Sequence, residues 1–327
     1  MTGRRLLLVP DSLVGGLGAA VSAQVAYFEG HGWTVDVCAP ADGDGPATAR
    51  DVAGMARAAR ALRVQQRRFG PDVVHCHGLR SFAVARLVTW PAPFVTLHGS
   101  GPVPSDPPAY HSVRQVGRSI VPRLAAGAFT ATPDGAGGWR FLPHASPRLP
   151  TLARHPLPAG RPVFLWLGRL DEPKQPEVFV RAMAEIAATG ARGLIAGDGP
   201  KRNAVADLAG ELDAPVELLG ERDDVEQLLA QSWAAVLLST HEAVSFAVQE
   251  AMWCGRATVV SDLAGLRWLD GRSFVVRDVA STAAAVRALC EPLVARERGA
   301  AAADAVRSRI HPDDPWPAIA DAYERQR

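Results

Sequence analysis

Short apolar runs alternate with longer amphipathic stretches along the first half of the chain. Apolar runs that predict strands occupy residues 4–9, 33–39, 72–77, 94–98 and 127–132. Between them, apolar positions recur at helical spacing in 19–30 and 52–69, and a Gly-rich loop spans 10–18. Strands that alternate with helices favour parallel pairing through helical crossovers.

A second series of the same kind follows a stretch rich in proline and small residues at 141–162, which is typical of a linker. Predicted strands occupy 163–167, 192–196, 216–219, 234–239 and 258–261, and predicted helices 177–189, 201–210, 224–230 and 245–254. We therefore predict an α/β protein with two Rossmann-like domains and parallel sheets, at 1–155 and 156–310. The tail 311–327 either crosses back to the first domain or caps the second.

Composition changes this picture little. A chain of 327 residues with 48% hydrophobic content can bury two cores. The formal net charge is +1 with acids and bases mixed, so we expect no basic stripe and no nucleic-acid partner, while peripheral membrane contact through a helix face stays open. Four separated cysteines and an apolar run at 6–9 too short for a signal peptide favour a cytoplasmic location.

The loops that follow strands carry the candidate chemistry, because ligands bind at the carboxyl ends of parallel strands. Gly15 and Gly16 follow the first strand and would let backbone amides approach a phosphate. Arg169 and Lys174 follow the strand 163–167 and could balance a diphosphate. Taken alone, the glycines could form only a tight turn, and the two cations could be solvated beside neighbouring acids.

The segment 241–252 gives the strongest signal. Glu242 lies in the loop after an apolar strand, and Glu250 lies eight positions later, about two helical turns into the next helix. Both carboxylates face one side if Ser245 begins that helix. The amides of Val244, Ser245 and Phe246 would then lie at a positive helix end. In the alternative interpretation Glu242 caps the helix and Glu250 is a surface acid.

This segment resembles the E-x7-E motif of the retaining GT-B glycosyltransferases of family 4, and the run 251–255 resembles that family's E-A-M-A-C-G. Further resemblances occur in the family's order, at the early glycines, at 71–78 (P-D-v-v-H-x-H), at 95–99 (v-T-x-H-G), at 168–170 (G-R-L) and at 197–200 (G-x-G-P). The resemblance covers nearly the whole chain.

The resemblance implies a role for each matching position. The implied catalytic residues are His98, Glu242, Arg169 and Lys174, and the implied donor-binding residues are Gly15, Gly16, Arg169, Lys174, Arg222, Val244, Ser245, Phe246 and Glu250. The two cations would clamp the diphosphate, Glu250 would bind the ribose and Glu242 the donor sugar. His98 would lie over the reacting face of that sugar, and Arg222 would contact the base.

The implied function is transfer of a hexose from a nucleotide diphosphate sugar to a hydroxyl of a small-molecule, lipid or saccharide acceptor, with retention and in a cleft between the domains. No metal or cofactor is implied, and a UDP-sugar is the expected donor. Two alternatives stay open: a sugar-nucleotide epimerase on the same double fold, and a non-catalytic protein that binds sugar nucleotides.

Two further patterns bear on this interpretation. The family usually has E-G-F-G where this chain has Glu242, Ala243, Val244 and Ser245, so the backbone loses two glycines where it approaches the donor. Asp42 and Asp44 form a DxD pattern, but they lie in a loop without the fold that uses such a pattern for metal binding. In 75–77, strand alternation sends the cysteine away from the two histidines, which argues against a metal cluster.

Overall fold

The computed structural model describes the chain except residues 1–2, 12, 14, 39–51, 90, 99–107, 132–136, 241, 243–244, 264–265, 267–271 and 327. The chain forms two compact units. The first contains residues up to Pro147 together with Asp313–Arg327, and the second contains Arg148–Pro312. Each unit has a parallel six-stranded sheet, which confirms the predicted fold class.

The first sheet has the strand order β2-β1-β3-β4-β5-β6, and each neighbouring pair is parallel. Its strands are β1 (Arg5–Pro10), β2 (Thr34–Val37), β3 (Val73–His77), β4 (Phe94–Leu97), β5 (Gly127–Thr130) and β6 (Arg140–Phe141). The helices of this unit are α1 (Gly15–Gly30), α2 (Val52–Phe69), α3 (Leu79–Val88), α4 (Pro108–Leu124) and α11 (Trp316–Arg325).

Side-chain alternation along these strands divides the core of the first unit between the two faces of the sheet. On one face Leu7 and Val9 of β1 pack with residues of α2, α3 and α4. On the other face Leu6 and Leu8 pack with α1 and with Trp316 of α11. Because the strands are buried on both faces, they appear in the sequence as continuous apolar runs.

The second sheet has the order β9-β8-β7-β10-β11-β12, again all parallel. Its strands are β7 (Val163–Leu167), β8 (Arg192–Ala196), β9 (Val216–Gly220), β10 (Ala234–Leu237), β11 (Ala257–Ser261) and β12 (Phe274–Val276). The helices are α5 (Pro176–Glu185), α6 (Arg202–Glu211), α7 (Val225–Ala230), α8 (Phe246–Trp253), α9 (Val279–Ala288) and α10 (Pro292–Arg309). The chain runs outward from β7 in one direction and from β10 in the other.

The first unit ends at Pro147, before the predicted boundary after residue 155. The reason is that the linker forms hydrogen bonds with residues of the second unit. The amide of His155 donates to the carbonyl of Cys254, and the amide of Ala153 donates to the Glu226 carboxylate. Arg256, which is fully buried, donates to the His155 and Pro156 carbonyls. The tail from Asp313 is grouped with the first unit.

Several elements differ from the sequence predictions. Helix α1 begins at Gly15, so the glycines assigned to a loop that ends at Gly18 lie in its first turn. Helices α3, α4, α9 and α10 and the short strands β6 and β12 were not predicted. In α3 the reason is a cap from elsewhere in the chain: Asp11 Oδ1 accepts a hydrogen bond from the Ser81 amide at 2.6 Å. No capping side chain next to the helix signals its start.

The charge distribution also differs from the expectation. Helices α2, α3 and α4 contain five, two and three arginines and no acidic residue. On the other side of the sheet α1 contains no basic residue and α11 a single one. The expectation of evenly mixed charge is therefore wrong for this unit, because a net charge of +1 averages over a strongly basic layer.

In the described part of the chain, no helix has the length and apolar character needed to cross a bilayer.

Candidate active site

The order of strands in the second sheet places a switch point between β7 and β10, where the chain changes its direction of travel across the sheet. In open parallel sheets ligands bind beside the carboxyl ends of the strands at such a point. The loops after β7 and β10 meet there, since the Thr240 amide donates to the Pro173 carbonyl at 2.8 Å. These two loops hold Lys174 and Glu242.

Lys174 and Glu242 form an ion pair between Nζ and Oε1. The pair is only partly accessible, with 32% of the lysine side chain and 12% of the glutamate side chain exposed. Ser239, two residues after the end of β10, donates from its hydroxyl to the same Glu242 oxygen at 3.3 Å. A cation and a carboxylate are therefore fixed together at the switch point, and about a third of the lysine side chain is still exposed.

Helix α8 begins directly after this pair. Ser245 is the N-cap residue, and its carbonyl accepts the first intrahelical bond, from the Gln249 amide at 3.1 Å. The Ser245 hydroxyl makes no cap hydrogen bond, so the amides of the first turn, which begins at Phe246, keep their donors for another acceptor. Val244, together with Ala243, lies outside the described residues.

Glu250 is buried in the second turn of α8, with 4% of its side chain exposed. Arg148, the first residue of the second unit, brings Nη1 to 3.6 Å from Oε2 of Glu250. A carboxylate removed from water needs an opposite charge or hydrogen bonds, and the guanidinium supplies such a charge. The interpretation of Glu250 as a surface acid is therefore wrong.

Backbone contacts fix the position of the loop after β7. A Cβ on Gly197 would lie 1.8 Å from the carbonyl oxygen of Gly168, and one on Gly199 would lie 2.5 Å from that of Leu170. The Leu170 amide donates to Asp198 and its carbonyl accepts from the Lys201 amide, both at 2.9 Å. The glycines of the G-x-G-P segment thus permit backbone-to-backbone packing that holds the G-R-L segment in place.

The two predicted arginines of this unit each pair with a nearby aspartate. Arg169 is largely exposed and bonds to Asp171, with Nη2 at 2.8 Å from Oδ2. Arg222 makes a forked pair with Asp224, with Nε and Nη2 at 2.8 and 2.6 Å from the two carboxylate oxygens. Hydrogen bonding to Asp224 raises the pKa of Arg222. The structure joins neither arginine to the Lys174–Glu242 pair.

In the first unit, His98 directly follows β4 and belongs to a row of histidine rings. Its Nε2 lies 2.8 Å from Nδ1 of His77, whose ring stacks on that of His75. His144 contacts the His98 ring edge to face. Burial, and then the neighbouring histidines, lowers the pKa of His77 and His98 well below the usual value, so both rings are neutral near pH 7.

This row is anchored by the C-terminal helix. The Tyr323 hydroxyl of α11 bonds to His75 Nδ1 and accepts a hydrogen bond from Gln24 at 2.9 Å. His75 Nε2 lies 2.8 Å from the Thr96 hydroxyl. Burial lowers the pKa of His75 to about 3. Hydrogen bonds and ring contacts therefore connect the tail of the chain with the residue at the end of β4.

Gly15 and Gly16 form the start of α1, after the loop that follows β1. Among the described residues, no atom outside the helix backbone and the chain neighbours lies within 4 Å of a Cβ built on Gly16. Nearby, burial raises the pKa of Asp11, although hydrogen bonds from Ser81 oppose the shift. Amides at a helix start suit an anion, and the predicted phosphate contact of these glycines stays a prediction.

Among the described residues, no group of three or more His, Cys, Asp or Glu side chains is placed to hold a metal ion. Cys76 packs in the core on the face opposite the histidine row. Asp42 and Asp44 lie outside the described residues.

Sequence reasoning missed four residues of these sites: Arg148, Ser239, Asp11 and Tyr323. Arg148, Asp11 and Tyr323 contact their partners from a distant part of the chain; the His75 and Tyr323 positions, for example, are 248 apart. Ser239 contacts Glu242 from three positions away. No local pattern signals such a contact. Only the placement of Ser239 at the end of an apolar strand could have drawn attention to it.

Solved structures with the same fold superpose on nearly the whole chain. Sucrose-phosphate synthase from Thermosynechococcus elongatus superposes with a TM-score of 0.78 at 21% identity, over 99% of this chain and 98% of that one. Anabaena HepE in complex with UDP-glucose superposes with a TM-score of 0.74 at 16% identity, over 98% of each chain. The fold is that of the GT-B class of glycosyltransferases.

Two family models match successive parts of the chain, one in each unit. The model described as Glycosyltransferase Family 4 matches residues 14–133, and the model described as Glycosyl transferases group 1 matches residues 161–292. The chain belongs to the family 4 group of GT-B glycosyltransferases. Glycogen synthase of Mycobacterium tuberculosis is 32% identical over 186 residues, which are 54% of this chain and 44% of the relative. The match thus spans less than half of that curated relative.

Proposed function

We propose that the chain is a retaining glycosyltransferase that moves a sugar from a nucleotide diphosphate donor to an acceptor hydroxyl. The observation that carries this proposal is the Lys174–Glu242 pair at the switch point of the second sheet, directly before the start of α8. Family membership supports the proposal, because the matched models describe glycosyltransferases in both units.

The leaving group of this reaction is a nucleoside diphosphate, on which negative charge develops as the bond to the sugar breaks. Stabilising that charge is the main catalytic task. Lys174 supplies a compact cation, Arg169 can turn its fork from Asp171 to a phosphate, and the first turn of α8 offers amide donors at a positive helix end. We assign the diphosphate to these groups, which provide the charge without a metal ion.

Carboxylates recognise the hydroxyl groups of the donor in this proposal. Glu250 accepts hydrogen bonds from the ribose, and the Arg148 guanidinium beside it provides the balancing charge. Glu242 accepts from a hydroxyl of the donor sugar while Ser239 and Lys174 hold its other contacts. A UDP-sugar is the proposed donor, since Anabaena HepE, which has the same fold, was solved with UDP-glucose.

For retention of configuration, the acceptor oxygen attacks from the side of the leaving group and passes its proton to a departing phosphate oxygen. This route needs no strong protein base, which agrees with a neutral His98. A neutral imidazole can still exchange a hydrogen bond with a sugar hydroxyl. We therefore assign His98 to sugar contact rather than to proton abstraction.

The decisive experiment compares Lys174→Ala and Glu250→Ala with a matched control at Lys201, the other lysine of the chain. Lys201 pairs with Glu172 and Glu177 instead of Glu242. Transfer from UDP-glucose to water and to a panel of acceptors is followed by release of UDP. We expect kcat/KM to fall by about 100-fold or more in each site variant, because a charge-assisted contact to the leaving group or the ribose is lost, and to stay within about threefold of wild type in Lys201→Ala.

Unchanged turnover in both site variants would contradict the proposed site. Incubation with a UDP-sugar alone tests the reaction class. A transferase hydrolyses the donor slowly and leaves the sugar configuration intact, whereas rapid conversion to an epimeric UDP-sugar would contradict glycosyl transfer.

A further inference from the structure

Helices α2, α3 and α4 form a layer on one face of the first sheet, and we call its outward side the basic face. All three helices pack inward on the same core, α2 through Leu62, α3 through Phe82 and α4 through Val121. Neighbouring helices in the layer also contact each other. Their remaining side chains therefore project on a common surface.

The basic face has a charge of one sign. On α2 the residues Arg57, Arg60, Arg63, Arg67 and Arg68 are all exposed. None of them belongs to an ion pair formed within the described part of the chain. Ten arginines without an acid on the three helices stand out in a chain whose formal charge is only +1. Such a surface attracts an extended anionic partner.

Exposed aliphatic side chains lie on the same three helices. Five of the ten large hydrophobic side chains exposed in the described residues lie on these helices, namely Val64, Leu87, Val116, Ile120 and Leu124. Leu87 is 73% exposed and Val116 is 58% exposed. On α4 the last three follow each other at four-residue steps, which places them on one side of the helix. A surface that combines cations with exposed aliphatic groups is typical of elements that lie in a membrane interface.

We propose that the basic face docks the protein on an anionic lipid bilayer. The arginines would bind the headgroups, and the aliphatic side chains would enter the boundary of the acyl chains. Nucleic acid fits less well, because sequence-tolerant nucleic-acid surfaces add aromatic rings that stack on bases, and the large apolar groups exposed in the described part of these helices are all aliphatic. The proposal concerns the first unit alone and does not depend on the donor site.

Vesicle flotation of the full chain tests the proposal. Vesicles of phosphatidylcholine with about 30 mol % phosphatidylglycerol are compared with pure phosphatidylcholine, without any sugar nucleotide. We expect binding to the anionic vesicles, with weakening as the salt concentration rises from about 0.05 M to about 0.5 M. The triple variant Arg60→Gln, Arg63→Gln, Arg67→Gln should reduce the partition coefficient about 100-fold, since each arginine contributes about fivefold.

A second triple variant provides the matched control. Arg161, Arg181 and Arg296 are exposed and lie in the second unit, so their replacement by glutamine changes the net charge by the same amount. This control should bind anionic vesicles within about twofold of wild type. An equal loss in both triple variants would overturn the proposal, because net charge rather than the basic face would then determine binding.

The double variant Leu87→Gln, Ile120→Gln separates a bilayer from other anions. It should weaken vesicle binding about tenfold, because both aliphatic contacts are lost, and leave binding to a DNA duplex unchanged. A wild-type protein that binds the duplex and does not float with anionic vesicles would assign the surface to nucleic acid. Absence of both kinds of binding would also overturn the proposal.

Discussion

At the scale of single residues, the glycines after β7 and β8 show how sequence spacing becomes a site. Gly197 adopts a φ of 139° and packs on the carbonyl of Gly168, which begins the loop that ends in Lys174. A side chain at this position would force the two loops apart. The glycines of this motif therefore place a cation indirectly, through backbone packing, and do not need to contact a ligand for that role.

We predict that Gly197→Ala lowers the free energy of unfolding by more than about 3 kcal/mol, because the new Cβ meets a backbone oxygen at 1.8 Å and the φ is unfavourable for alanine. Gly190→Ala is the matched control: its φ is 73°, but no atom lies within 4 Å of its Cβ. The control should lose about 1–2 kcal/mol, for the left-handed conformation alone. Urea unfolding measures both. Equal losses would show that the close contact has no energetic weight.

At the scale of elements, partners that are remote in sequence determine whether a segment forms a helix. Helix α3 is capped by Asp11, and α11 closes the far face of the first sheet with Trp316, Ile319 and Tyr323. The amphipathic pattern of the tail was visible in the sequence, but the pattern alone left two docking places open. In the structure the tail packs on the first unit, where the buried hydroxyl of Tyr323 forms hydrogen bonds with the His75 and Gln24 side chains.

We predict that Tyr323→Phe lowers the free energy of unfolding by about 1–3 kcal/mol, since the ring still fills the core while two buried polar groups lose their partner. Tyr27→Phe on α1 is the control, because Tyr27 is only partly buried and its ring contacts can be kept by phenylalanine. The control should change stability by less than about 0.5 kcal/mol. Chemical denaturation followed by circular dichroism compares the two, and equal stability of both variants would exclude an anchoring role for the hydroxyl.

At the scale of the whole molecule, the two-sheet architecture could be predicted from the sequence because buried parallel strands give continuous apolar runs, as in β1 and β7. The two loops of the candidate site could be found for the same reason, since Lys174 and Glu242 lie in loops that follow such runs. The strand order that defines the switch point was not predicted. Arg148 could not be assigned to Glu250, because the linker has no periodicity and its contacts are tertiary. The predicted roles of the site residues stay predictions that ligand binding must test.

The distribution of histidines with a lowered pKa predicts that acid destabilises the two units unequally. His75, His77, His98 and His144 all belong to the first unit, and burial lowers the pKa of each, to about 3 for His75 and about 4 for His144. Below pH of about 6.5 the unfolded chain binds protons at these rings while the folded chain does not. Stability is therefore lost as the pH falls from about 6.5 towards about 4, by about 1.4 kcal/mol per pH unit for each ring that stays neutral.

Hydrogen exchange at pH of about 7.5 and about 5.5 measures this effect within one molecule. After correction for intrinsic exchange rates, the opening free energies of amides in β1, β3 and β4 should fall by several kcal/mol, about 1.4 for each histidine. Amides in β7, β8 and β10 of the second unit serve as the internal comparison and should change much less. Burial raises the pKa of Asp11, so proton uptake there acts in the opposite direction and reduces the loss. Equal losses of opening free energy in both sheets would mean that the histidine row does not control the acid response. Ring-proton spectra in which all four histidines titrate near pH 6.5 would show that the folded protein does not keep these rings neutral.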